Sequence, residues 1–262
     1  MLNLWDPKQY LRFRDQRGRP CLDLIRQIEI DSPESIMDLG CGPGNSTAAL
    51  RTHWPQAMVT GLDGSREMLA EAQRDHPQWR WIERDIQTFA DQAEDFYDLV
   101  FSNAALHWLG DHAQLFPKLI QRVKTGGALA VQMPVARDHP AQQALQEAAA
   151  TPAWSKYFRQ PVRKHWRSQL PQEYYAILAS CSPRMDIWQT TYFHLLNGLD
   201  DIVEWYRGSA LRPYLAALPD ESARQDFIAA YRLHLAKAYP PQPDGRLLFP
   251  FPRIFIIAYR GG

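Results

Sequence analysis

Residues 35–47 read SIMDLGCGPGNST, an apolar run that breaks into three glycines, Gly40, Gly42 and Gly44. A short apolar run ending in a turn signal, with STAALRTHW behind it, predicts a buried strand, a bare turn and a helix. Such a turn aims backbone N–H groups at a ligand beside the carboxyl edge of a sheet. The spacing is G-x-G-x-G, whereas a dinucleotide fingerprint is G-x-G-x-x-G, with a last glycine that lets the helix approach the strand under a pyrophosphate. Asn45 stands at that last position, and no Gly-Lys-Ser/Thr follows as a triphosphate loop requires. Both phosphate readings lose support.

The next two strands carry the other half of the signal. AMVTGLD ends on Asp63, roughly 20 residues beyond Gly42, where a carboxylate can accept both hydroxyls of a ribose. WRWIERD ends on Asp85, which can accept the exocyclic amine of adenine, with Ile86 as an apolar wall. Adenine and ribose without a pyrophosphate describe S-adenosylmethionine, its methionine end against the glycine turn. Asp38, just before the turn, could meet the ligand's amino group directly or through water. Each residue also has a plain structural reading: Asp63 as a helix cap, Asp85 as a solvated strand end, Cys41 as a small packed residue. Their joint placement carries the inference.

Outward from this core, strands alternate with helical patterns. YDLVFSNA and GALAVQM follow as fourth and fifth strands, with HAQLFPKLIQRV as the helix between them. Ser46 or Thr47 is expected near one N-cap, and Ser65 at the next. Strands spaced by such helices imply right-handed crossovers and a parallel sheet. The second half holds helical patterns in HPAQQALQEAAATPAWSKYF, PQEYYAILAS, DDIVEWYRGSALRPYLAAL and ESARQDFIAAYRLHLAKAY, with late strands in MDIWQTTYFHLL and RIFIIAYR. The fold class expected is α/β: a doubly wound, mostly parallel seven-stranded Rossmann-like sheet with a helical lid inserted in the C-terminal half. As one domain, 1–262 divides into cofactor-covering helices at 1–30, a cofactor-binding core at 31–136, lid helices at 137–186 and 198–248, and sheet strands at 187–197 and 252–260.

Composition narrows the function classes. Lys plus Arg and Asp plus Glu both total 29, so no basic excess points to nucleic acid. The three cysteines, Cys21, Cys41 and Cys181, suit neither a disulfide framework nor a zinc site, so no metal is expected. MLNLWDPKQY lacks the pattern of a secretion signal, and no apolar stretch is long enough for a bilayer. The expectation is a reduced, cytoplasmic protein, a monomer or weak homodimer, with no membrane or nucleic-acid partner.

DLGCGPGNST and GLDGSREML resemble the class I S-adenosylmethionine-dependent methyltransferases, and in particular the trans-aconitate 2-methyltransferase family. WDPKQYLRFRDQRGRP, FSNAALHWLGDH, LAVQMP, DIWQTTYFHLL, GSALRPYL and LLFPFPRIFIIAYR resemble that family's stretches in order, across nearly the full length. Two positions depart from its pattern: His107 stands where glutamine is expected, and Gly64 where serine is usual. The resemblance implies transfer of a methyl group to one carboxylate of a small polycarboxylic acid, most simply trans-aconitate, with S-adenosylhomocysteine as the other product.

A polyanionic acid needs cationic forks and phenol or imidazole donors. Tyr192, His194, Arg212 and Arg253 are the candidates. Arg19 is a candidate partner for the cofactor's methionine carboxylate, and Tyr10 a cover over its methyl group. Asn103 is read as a backbone contact to the cofactor, Met68 and the Gly64 amide as further contacts, and His107 as a hydrogen-bonder at the methyl transfer. Trp108 would pack or exclude water from the sulfonium. Plain readings stand beside these: solvated flanks for the arginines and a packed histidine for His194. The rivals are an NAD-linked oxidoreductase, a non-catalytic S-adenosylmethionine-binding module, and methylation of another small or carrier-bound acid.

Overall fold

A computed structural model describes residues 14–92, 95–135, 139–158 and 168–261. Seven strands form one sheet: β1 (Ser35–Leu39), β2 (Met58–Asp63), β3 (Arg80–Glu83), β4 (Tyr97–Asn103), β5 (Val123–Pro134), β6 (Arg184–Leu196) and β7 (Leu247–Tyr259). Their order is β3-β2-β1-β4-β5-β7-β6. Neighbours from β3 to β5 are parallel, and β7 runs antiparallel to β5. The order reverses between β1 and β4, and a crevice opens at the carboxyl ends of strands at such a switch point.

The described helices are α1 (Arg14–Arg26), α2 (Asn45–His53), α3 (Arg66–Asp75), α4 (Ile86–Gln92), α5 (His112–Ile120), α6 (Pro140–Ala150), α7 (Pro152–Ser155), α8 (Pro171–Leu178), α9 (Leu199–Arg207), α10 (Arg212–Ala216) and α11 (Glu221–Ala238). Two long helical patterns are each broken. Thr151-Pro152 separates α6 from α7, because the residue before a proline is pushed out of the helical region. Thr151 accordingly sits in an extended conformation. In the other, Gly208 caps α9, and Pro213 falls in the first turn of α10. The two late strands begin earlier than expected, at Arg184 and Leu247.

The chain divides into two compact units. The first takes in Asp15–Pro134, α8, β6 as far as Thr190, and the chain from Arg253 onwards. Its core is the set of central strands, where Ile36, Met37, Leu39, Leu99, Val100, Phe101, Leu129 and Val131 are all buried. The second takes in the described part of 135–158 and Thr191–Pro252. There the Tyr231 hydroxyl donates to the Ala141 carbonyl at 3.1 Å, and the Ala141 N–H donates to the Tyr239 hydroxyl at 3.1 Å. His139 lies among Tyr206, Phe249 and Phe251.

One local expectation needs correction. Ser46 and Thr47 do not cap α2; its N-cap is Gly44, in the left-handed conformation at φ +91°. Both hydroxyls instead donate to Asp38 Oδ2, at 2.7 and 2.6 Å. Ser65 does cap α3, accepting the Met68 N–H at 3.4 Å.

Candidate active site

The glycine turn is held by the neighbouring strand. Gly40 and Cys41 N–H both donate to the Leu62 carbonyl, at 2.7 and 3.1 Å. Gly42 N–H donates to Asp63 Oδ2 at 2.9 Å, while Ser65 N–H donates to Oδ1 at 2.8 Å. Asp63 thus ties the turn to the end of β2. Burial raises its pKa, and the backbone N–H groups of Ser65, Gly42 and Gly64 oppose that rise.

The bareness of the turn has a local cause. Gly40 has φ +70°, and a Cβ there would lie 2.2 Å from the Ala105 Cβ and 3.6 Å from Ile86 Cδ1. At Gly44 a Cβ would meet the Trp81 ring at 2.7 Å. Gly42 has open space around it, so its backbone is the part of the turn that a ligand can approach. Burial pushes the Cys41 thiol well above its ordinary range, so it is not a nucleophile at neutral pH.

Asp38 is fully buried. Its Oδ2 accepts the two hydroxyls, whereas Oδ1 has no hydrogen-bond partner among the described residues. Desolvation outweighs the hydroxyl donors and pushes its pKa up to about 6. Asp85 is exposed, and its Oδ1 accepts the N–H groups of Gln87 and Thr88 at 2.8 and 3.1 Å, which caps α4. Ile86 opens that helix and is buried; Met68 is buried on α3, Gly64 is exposed and Asn45 half-buried.

The strand register assembles four of the polar residues. Asp38 pairs with Phe101, Phe101 with Ala130 and Ala130 with Ile257. Side chains two residues apart share a face, so Asp38, Asn103, Gln132 and Arg253 lie on one face across β1, β4, β5 and β7. Asn103 is half-buried, and its Oδ1 has no hydrogen-bond partner among the described residues. Ala104, next in the chain, has φ +56°, an uncommon conformation for a residue with a Cβ and one that clusters at functional sites. Arg253 is buried, opposite Pro134.

His107 is buried in the turn Leu106–Trp108 that follows β4, its ring 4.8 Å from that of the half-buried Trp108. Burial first, then the Arg253 charge, then His112, holds its pKa well below the usual imidazole range, so it is neutral at pH 7.

The remaining candidates stand on other elements. Arg19 is exposed on α1, 3.6 Å from Asp23. Tyr192, His194 and Arg212 belong to the second unit. Tyr192 and His194 are buried on one face of β6, where His194 packs 5.1 Å from Trp205. Arg212 opens α10 and is half-buried. Tyr10 lies outside the described residues. Gln132 was missed from sequence; the available signal was one amide inside the apolar run Ala128–Pro134.

A sheet in this order, with a glycine turn after β1, carboxylates closing β2 and following β3, and an antiparallel β7, defines a class I methyltransferase. A family model described as a methyltransferase domain matches residues 36–127. The fold is similar to that of the YcgJ protein of Bacillus subtilis, with a TM-score of 0.58 at 16% identity, covering 93% of this chain and 100% of that one. It is also similar to phosphoethanolamine N-methyltransferase 2 of Haemonchus contortus, solved with phosphomonomethylethanolamine and S-adenosylhomocysteine (TM-score 0.55, 15% identity, 93% of this chain and 53% of that one). The chain belongs to the trans-aconitate 2-methyltransferase family. It is 42% identical over 260 residues to the protein of that name from Azoarcus sp. (strain BH72), covering 98% of this chain and 99% of that one. Another from Methylobacterium nodulans is 43% identical over 256 residues, covering 98% of each.

No helix among the described residues is long and apolar enough to cross a membrane. No group of three or more His, Cys, Asp or Glu side chains among them is placed to hold a metal ion.

Proposed function

We propose that this chain transfers a methyl group from S-adenosylmethionine to one carboxylate of trans-aconitate, giving a monomethyl ester and S-adenosylhomocysteine. The observation that carries the reading is the row Asp38, Asn103, Gln132 and Arg253 on one sheet face. It runs from a carboxylate beside the glycine turn to a buried guanidinium, in a chain that matches relatives of that name from end to end.

The residues present fit the cofactor. The Gly42 backbone is open to a ligand, and Asp38 Oδ1 is a buried acceptor that an ammonium group would satisfy. When bound, S-adenosylmethionine supplies a methyl group on a positively charged sulfur. Gly40, Gly42, Gly44 and Asn45 would back its methionine end, with Arg19 and Asn103 as further contacts there. Asp63 would take the ribose hydroxyls and Asp85 the adenine amine, with Gly64, Met68 and Ile86 lining the base. Tyr10 would cover the methyl group.

The acid needs no general base, because a carboxylate with a reference pKa of ~4 is already ionised at neutral pH. The protein's task is to align it and keep water away from it. Arg253 supplies a guanidinium for a carboxylate that does not react, and Arg212, Tyr192 and His194 are the further donors assigned to the acid. His107, held neutral, offers a hydrogen bond without adding charge, while Trp108 helps exclude water. The helices of 137–186 and 198–248 are assigned as the lid. A cytoplasmic monomer or weak homodimer, with a small polycarboxylate and no nucleic acid as partner, completes the proposal.

The test is a methyl-transfer screen over small di- and tricarboxylic acids, cis- and trans-aconitate included. Trans-aconitate should give the highest kcat/KM. Absence of ester formation from every acid, or calorimetric binding of NAD in place of S-adenosylhomocysteine, overturns the reading. Replacing Arg253 by Ala should raise the KM for the acid by about tenfold or more while S-adenosylhomocysteine affinity holds. An unchanged KM removes Arg253 from the site.

A further inference from the structure

We infer that Gln132 is a positioning residue that sits between methyl donor and acceptor, its amide oxygen accepting from the cofactor's ammonium and its amide nitrogen donating to a carboxylate of the acid. This rests on the function proposed above and deepens it. In β5 every residue from Ala128 to Pro134 is buried, and Gln132 is the one among them with a polar side chain. It is 1% exposed, and neither Oε1 nor Nε2 has a hydrogen-bond partner among the described residues. Buried amides are nearly always satisfied, and an unsatisfied one calls for a water, an ion or a ligand as its partner. Leucine, of similar volume, would fill the same place without leaving a donor or acceptor unmet.

The neighbours say what kind of partner. Gln132 lies opposite Asn103 on one side and Phe255 on the other. Towards β1 the same face offers acceptors without partners among the described residues, Asn103 Oδ1 and Asp38 Oδ1, and the carboxylate of the pair favours a cationic donor. Towards β7 it carries the buried Arg253 guanidinium, a positive charge that favours an anionic ligand on that side. Phe255, opposite Gln132 and two residues from Arg253, adds an apolar ring to the same face, stacked on Trp188 at 4.7 Å. A side-chain amide is the neutral group that presents one acceptor and donors at the same end, so it suits a boundary between an ammonium and a carboxylate. A carboxylate alone would leave Oε1 unmet, and an ammonium alone would leave Nε2 unmet.

Gln132→Leu and Gln132→Glu separate the two halves. In the ligand-free protein, Gln132→Leu should leave the melting temperature unchanged or raise it, since it removes an unmet amide. Its affinity for S-adenosylhomocysteine, by calorimetry, should fall about fivefold or more, and acid affinity of the S-adenosylhomocysteine complex about tenfold or more. Gln132→Glu keeps the acceptor and reverses the other end. It should hold S-adenosylhomocysteine within about threefold of wild type and weaken the acid by about thirtyfold or more.

A lower melting temperature for Gln132→Leu with both affinities intact means a structural amide and overturns the inference. So do affinities within about twofold of wild type in that variant, or equal losses of cofactor and acid in Gln132→Glu. If the buried charge of Gln132→Glu prevents folding, the Gln132→Leu measurements decide alone. A wild-type protein that binds S-adenosylhomocysteine but neither binds nor methylates any acid overturns the function proposed above. The calorimetric cofactor arm then still reads the amide.

Discussion

Asp38 shows how burial sets chemistry at a single residue. Its folded pKa, about 6, lies above the ordinary 3.8, so the folded protein holds a proton between those values that the unfolded chain has released. The stability this group contributes is complete below pH 3.8 and is lost as pH rises through about 6. An ammonium against Oδ1 favours the ionised form, so cofactor binding should release that proton. S-adenosylhomocysteine is therefore expected to bind more weakly as pH falls through about 6, and Asp38→Asn should flatten the dependence. Calorimetry in buffers of different ionisation heat reads the proton directly. His107 is the second case. A neutral imidazole has one donor and one acceptor, and a glutamine amide also offers both a donor and an acceptor. His107→Gln should keep kcat/KM within about threefold. A larger loss would mean that the imidazole is needed as such.

Among elements, the packing of β3 against β2 decides where the glycine turn can be bare. Gly61 and Trp81 are register partners, and a Cβ on Gly61 would lie 2.4 Å from the Trp81 ring and 2.9 Å from Cys41 Sγ. The same ring crowds Gly44, and its Nε1–H donates to the His76 carbonyl at 3.1 Å. Trp81 thus lies across a strand glycine and a turn glycine together. Gly61→Ala should destabilise the protein by about 1–3 kcal/mol, as overpacking does. Urea midpoints should show the loss, and Trp81→Leu in the same chain should recover part of it. Additive effects of the two substitutions would mean that the ring is not the obstacle.

For the whole molecule, ligand binding should appear as stability. S-adenosylhomocysteine at about 100 times its Kd should add about 2.7 kcal/mol to unfolding. In a chain of this size that is a rise of several degrees in Tm. NAD at the same concentration should give none. A Tm unmoved by S-adenosylhomocysteine would contradict the assigned cofactor. The central strands, buried and almost wholly apolar, supply the rigid edge from which these polar groups project. Sites on such elements hold their geometry better than sites on loops.

How much of this was legible depends on whether the cause was local. Five alternating strands, the glycine turn, Asp63 at the end of β2 and the Ser65 cap all follow from periodicity and spacing, because apolar runs and capping residues act on their immediate neighbours. The hydroxyls of Ser46 and Thr47 look like caps for the same reason, and only the buried carboxylate of Asp38, at the end of the preceding strand, diverts them. The broken helices at Thr151 and Gly208 needed the backbone itself. Gln132 is the clearest limit. In sequence it is one amide in an apolar strand, but the face it shares with Asp38, Asn103 and Arg253 exists only after four strands align, and those four lie far apart along the chain. The turn SIMDLGCGPGNST determines by itself the kind of cofactor edge the protein has, since backbone geometry is local. The polar face that would meet the acid was decided by tertiary structure, since register between distant strands brings a carboxylate, two amides and a guanidinium to one side of one sheet.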